Sequence, residues 1–181
     1  MWQSGICLSN TLAASSALTT NREKPLSTSQ DRIPPIALYL GLAGLLPFLG
    51  CALLTWMTSP DERENSVLAI LAYGAVILSF LGGVRWGNVL RDTTALTHVG
   101  PLSLSIAPSL VGWVALLASP RPGLILLIVG FAIQYTLDRT AANKDQLPRW
   151  YGRLRTVLSA GAITSLLVAF AAVLILDVAR T

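Results

Sequence analysis

Apolar residues run through this chain in long uninterrupted stretches, not at alternating positions. Residues 33–58 contain no charged side chain, and comparable runs cover about 66–84, 102–119, 122–137 and 156–176. A helix needs about 20 apolar residues to cross a hydrocarbon layer of about 30 Å. A membrane β-barrel would instead show short segments of alternating hydrophobicity. Every backbone amide in lipid needs a partner, and a helix supplies it internally. The pattern therefore predicts an all-α fold, a polytopic membrane bundle of about five transmembrane helices at those positions. The third and fourth runs are short and are separated only by Ser119, Pro120, Arg121 and Pro122, which predicts an antiparallel helical hairpin.

Composition strengthens this reading. Of 181 residues, 53% are hydrophobic and only 12% are charged, and the mean hydropathy is +0.62. A soluble domain carries about 25% charged residues, and a disordered chain combines low hydrophobicity with high charge. The length suits one domain. Residues 1–32 are rich in Ser and Thr and read as a flexible polar tail, 33–177 as the transmembrane domain, and 178–181 as a short C-terminal tail. A secretory signal would place a charged start just before an apolar core, and the first basic residue here is Arg22. A mitochondrial transit peptide would be richer in Arg.

The formal net charge is +4. The basic residues flank apolar runs and form no continuous stripe, so nucleic acid is not an expected partner. With five spans, ten Lys and Arg fall on the side of the N-terminus and three on the other. That imbalance predicts an inside N-terminus and an outside C-terminus. Asp61, Glu62 and Glu64 fall on the outer side. Cys7 and Cys51 are too few for a disulfide framework or a zinc site.

Contacts between membrane helices favour small residues, because lipid gives apolar side chains no reason to associate. Ala75, Ser79 and Gly83 form one candidate stripe, Ala37 with Gly41 a second, and Gly161 with Ser165 a third. Pro47 and Pro108 sit inside apolar runs, where each removes an amide donor and kinks a helix.

The polar residues near the ends of the runs are the candidates for function. Arg85 ends the second run beside Trp86, and Gln134 and Asp138 end the fourth. An arginine at such a position either snorkels to the interface as an anchor or pairs with an acid. If the second and fourth helices are neighbours, Arg85 meets Asp138 or Gln134 at the inner boundary. Arg149, Trp150, Tyr151, Arg153 and Arg155 precede the fifth run. They read as an interfacial segment for anionic headgroups at the inner face, or as a docking surface for another subunit. His98, the single histidine, reads as a solvated loop residue. No phosphate loop, catalytic triad or metal-ligand set is visible, and no acid lies at the centre of a run. No cofactor and no enzymatic activity are expected.

Several segments together resemble a known family: Tyr73 to Gly87 with its Gly-Gly-Val-Arg-Trp-Gly end, Ala107 to Leu110 with Trp113, Gln134 to Asp138, and Pro148 to Arg155. This is the domain-of-unknown-function family of bacterial membrane proteins that includes vertebrate transmembrane protein 69, a mitochondrial protein. The resemblance covers about residues 34–176. It implies a multi-pass protein of the bacterial inner membrane, or of the mitochondrial inner membrane as its descendant, and carries over no catalytic residue. Two functions remain in view. One is a non-catalytic accessory or assembly subunit of a larger respiratory or photosynthetic membrane complex. The other is a small transporter or channel in which Arg85 contacts an anionic solute. A membrane enzyme acting on lipid or quinone lacks a nucleophile or metal set.

Overall fold

The computed structural model describes residues 33–90, 99–143 and 149–178, with backbone alone at 99, 101, 149, 177 and 178. The expected tails, His98 and the expected role of the Arg149 side chain lie outside that description. Among the described residues six helices follow in order: α1 (Pro35–Ala43), α2 (Leu46–Met57), α3 (Pro60–Leu90), α4 (Val99–Leu117), α5 (Pro120–Asn143) and α6 (Arg149–Val178). Among the described residues all regular structure is helical, and the fold is an all-α polytopic bundle. Within the described residues four segments are long and apolar enough to cross a membrane: Pro35–Met57, Pro60–Leu90, Pro120–Asn143 and Trp150–Leu176. The expected third span is a shorter apolar helix, Leu102–Leu117.

The expected first span is broken into α1 and α2, and the break has a covalent cause. Pro47 has no N–H for the carbonyl of Ala43, and its ring crowds that carbonyl. The chain tightens at the break, where the Leu45 N–H donates to the Leu42 carbonyl at 3.0 Å. The Gly44 carbonyl accepts the Tyr73 hydroxyl of α3 at 2.8 Å. Tyr73 also packs edge-on against Phe48, with ring centroids 5.0 Å apart, and Phe48 against Phe131 of α5 at 5.7 Å. The break is thus tied into the core.

The other helices outrun their apolar stretches. α3 starts at Pro60, not at 66, where the Glu62 side chain reaches back to cap Ser59. The Glu62 carboxylate accepts from the Ser59 N–H and hydroxyl at 3.3 and 2.9 Å. Proline at the first helical position needs no amide donor. α5 starts the same way at Pro120, where the Gly123 N–H donates to the Ser119 carbonyl at 3.0 Å. α5 continues to Asn143, past the expected 137, and α6 begins at Arg149, seven residues before the expected 156.

α2, α3, α4, α5 and α6 pack in a ring, each against the next and α6 back against α2, with α3 also touching α5. The core is built from Phe48, Ile70, Leu71, Leu78, Leu124, Leu127, Phe131, Leu166 and their neighbours. Large apolar residues such as Leu40, Leu53, Phe80, Trp113, Ile133 and Ile175 point outward, as lipid-facing side chains do. Ala75 packs against Gly112, where an added Cβ would lie 3.1 Å from the Ala75 backbone. The expected stripe departs from that contact about two turns later. Gly83 faces open space, and its neighbour Gly82 lies against the Ser105 carbonyl and Pro108 of α4. The other two stripes make contacts, Gly41 with Leu158 and Gly161 with Leu45.

Candidate functional site

The buried polar residues concentrate at the end of the bundle where α3 and α5 finish and α6 begins. Asp138 lies five residues before the end of α5, and Arg155 six residues after the start of α6. At 1.5 Å of rise per residue, both sit about 8–9 Å inside their helices. The two helices run antiparallel from one short connection, so equal distances along them bring the two side chains to one level. The Arg155 Nε donates to Asp138 Oδ2 at 2.8 Å. The Gln134 Nε2 donates to Asp138 Oδ1 at 3.0 Å. All three residues are buried.

This geometry changes two expectations. Arg155 was read as an interfacial residue outside the fifth span, and it is a buried residue of α6. Asp138 was paired with Arg85, yet its bonded cation is Arg155. The physical reason is the early start of α6, which carries the guanidinium one turn and a half into the bundle. Arg85, half-buried on α3, still acts on the Asp138 carboxylate electrostatically. α3 and α5 are neighbours as that pairing required. Asp138 is also no longer terminal, since α5 continues past it.

The remaining candidates surround this cluster. Trp86 is exposed beside Arg85. Trp150 and Tyr151 are half-buried and stack edge-on with centroids 6.1 Å apart. Arg153 is exposed. Gly152 fits against Ala142, which lets the first turn of α6 approach α5. On the outer side of the same seam, Thr156 Oγ1 accepts from Arg139 Nη1 at 3.3 Å and lies 3.4 Å from the Tyr135 hydroxyl.

Ser159 was not among the sequence candidates. It lies one turn deeper than Arg155, as Gln134 lies one turn deeper than Asp138. Gln134 Oε1, Arg155 Nη2 and Ser159 Oγ are buried without a hydrogen-bond partner. The register of an antiparallel hairpin, counted outward from its connection, is the signal that would have found both Arg155 and Ser159. Each oxygen of Asp138 accepts one hydrogen bond, and the one from Arg155 fastens α5 to α6. Among the described residues, no three His, Cys, Asp or Glu gather as a metal site.

Residues 33–171 match the family described as "Protein of unknown function (DUF3429)". The chain belongs to this family. It is similar to transmembrane protein 69 of Xenopus tropicalis, with 40% identity over 138 residues, covering 74% of this chain and 53% of that protein. Transmembrane protein 69 of Mus musculus is 38% identical over 140 residues, covering 75% of this chain and 55% of the mouse protein. The chain therefore matches these relatives over about half of their own length. No solved structure matches it. The DUF3429 match includes Arg85, Gln134, Asp138, Arg155 and Ser159. Membership and the apolar helices together make the chain a multi-pass membrane protein.

Proposed function

We propose that this chain is a non-catalytic accessory or assembly subunit of a larger energy-transducing complex, respiratory or photosynthetic, in a bacterial inner membrane or its mitochondrial counterpart. One observation carries the reading. Only 11% of the most apolar window of the α1–α2 span is buried by the rest of the chain, against 44%, 39% and 39% for the other three long spans. No residue of α1 is buried. This broken and thinly covered span is suited to finish its packing against another membrane protein, through close contact and not through hydrophobic drive. The tightly fastened Asp138 supports a structural role for the interior.

The test is photo-crosslinking from Tyr39 and Leu53, which are exposed on α1 and α2, followed by mild solubilisation and native separation. The expected result is a crosslink to a subunit of a larger complex that co-migrates with this chain. Migration only as a free monomer or homo-oligomer, with crosslinks to lipid alone, would count against the proposal. If liposomes containing the purified chain carried an anion flux that Arg85→Ala abolished, the transporter reading would replace it.

A further inference from the structure

At the end of the bundle that holds Asp138, the outer side of the α5–α6 seam gathers donors around one poor acceptor. Tyr135 and Arg139 stand one turn apart on α5, and Thr156 meets both from α6. The Thr156 hydroxyl spends its own hydrogen on the Gly152 carbonyl at 3.0 Å. Its oxygen is therefore the acceptor for both neighbours. Arg139 Nη1 donates to it at 3.3 Å, and the Tyr135 hydroxyl at 3.4 Å. Both bonds exceed the ordinary limits of about 3.2 Å for N–H···O and about 3.0 Å for O–H···O. Arg139 is exposed, and this neutral oxygen is its only hydrogen-bond partner among the described residues. Asp138, the next residue along the chain, is buried and accepts from Gln134 and Arg155 instead. Thr136 and Thr140, exposed on the same helix, bond back to their own backbone at 2.7 Å each. The converging pair is thus specific to Tyr135 and Arg139.

The depth of this pair suits a lipid headgroup. α5 has 24 residues, about 36 Å of helix against a hydrocarbon layer of about 30 Å. Arg139 lies four residues before the end at Asn143, about 6 Å inside it, where acyl chains give way to headgroups. We propose that Arg139 and the Tyr135 hydroxyl bind the phosphate of an anionic phospholipid, of the phosphatidylglycerol type. The two free phosphate oxygens accept the paired donors of the guanidinium, and one of them also accepts the Tyr135 hydroxyl. A phosphate oxygen carries the charge that Thr156 lacks, so these bonds close to charge-assisted lengths of about 2.7–2.9 Å. A choline or ethanolamine headgroup would bring a cation beside Arg139, and the described carboxylate at this end, Asp138, is buried and already bonded. A glycerol headgroup brings only hydroxyls. One turn deeper along the seam, the exposed Ala132 and Ala160 leave room for an acyl chain. The sequence placed headgroup contact on Arg149 to Arg155, whereas this site draws its guanidinium from α5. The inference rests on the embedding of the chain in a membrane and is independent of the accessory-subunit reading.

The test is native mass spectrometry of the full chain, released from nanodiscs holding equal phosphatidylglycerol and phosphatidylcholine with the same acyl chains. Helix content and monodispersity are checked for every variant. The wild-type chain is expected to retain phosphatidylglycerol over phosphatidylcholine by about tenfold, the scale of one charge-assisted hydrogen bond. Arg139→Gln removes that preference. Arg139→Lys keeps the charge without the paired donors and retains only part of it. Tyr135→Phe keeps the ring without the hydroxyl and lowers it about threefold. Equal retention of the two lipids by the wild-type chain would overturn the proposal, as would a full preference in Arg139→Gln. If Arg139→Gln does not fold, a full preference in both Arg139→Lys and Tyr135→Phe overturns it, since diffuse charge would then explain the selection. Inorganic phosphate that displaces the bound lipid completely at equal concentration would also overturn it, because the ligand would then be the free anion.

Discussion

Asp138 and Arg155 illustrate how a charge survives inside a membrane bundle. Each is desolvated, and each is tolerated because the other is bonded to it at 2.8 Å. Removing one partner leaves the other uncompensated, which in buried pairs costs about 3–5 kcal/mol, whereas replacing both by apolar groups is often neutral. Asp138→Asn is therefore expected to lower unfolding stability in detergent by that amount, and Asp138→Leu/Arg155→Met to recover most of it. Arg85→Gln is expected to cost far less than Arg155→Gln, because Arg85 acts on the carboxylate through space. Equal losses at the two arginines would contradict the observed pairing. Ser159 behaves oppositely. Its hydroxyl is buried without a partner, so Ser159→Ala removes an unsatisfied group. Equilibrium unfolding should show no loss, or a gain of up to about 1 kcal/mol.

At the scale of the element, helix ends and breaks follow short-range chemistry. Ser59, Pro60 and Glu62 set the start of α3, six residues before the start that hydropathy alone placed. Pro47 was legible as a kink, but the full break and its fastening by Tyr73 were not, since the hydroxyl comes from another helix. Tyr73→Phe deletes the bond to the Gly44 carbonyl without changing the ring contacts. Thermal unfolding should report a loss of about 1 kcal/mol. The α3–α4 contact offers a sharper test. A methyl group at Gly82 would collide with the backbone carbonyl of Ser105, whereas one at Gly83 would meet nothing within 4 Å. Gly82→Ala is expected to destabilise the bundle by about 1–3 kcal/mol, as overpacking does, and Gly83→Ala to be neutral or slightly stabilising. The spacing of small residues pointed one position away, because it ignored which face of α3 meets α4.

For the whole molecule, the distribution of charge between the two ends is the main organising feature. One end gathers Arg85, Arg139, Arg153 and Arg155, and the other holds Asp61, Glu62 and Glu64 with Arg63 and Arg121. Basic residues favour the inner side. Reporter fusions are expected to place the N-terminus inside and the C-terminus outside, and activity of both reporters in one compartment would contradict an odd number of crossings. The bundle is also lopsided. α5 packs against both α3 and α6, while α1 and α2 leave most of their surface to lipid or to a partner. Hydropathy could not reveal this, because a helix that faces lipid and one that faces protein are equally apolar.

The sequence by itself determined the class of molecule. Long runs without charge must become helices in a bilayer, whatever surrounds them, because the cost of exposed backbone is local. The tight α4–α5 hairpin and the excess of basic residues flanking one set of helix ends were also readable in the sequence. Only the tertiary structure decided that Arg155 and not Arg85 bonds Asp138, that Gly82 and not Gly83 is the close contact, and which span is left uncovered. Each of these depends on the rotation and register of one helix against another. Packing sets those quantities between separate helices; hairpin register can nominate Arg155 opposite Asp138, but no single run of residues decides the pairing.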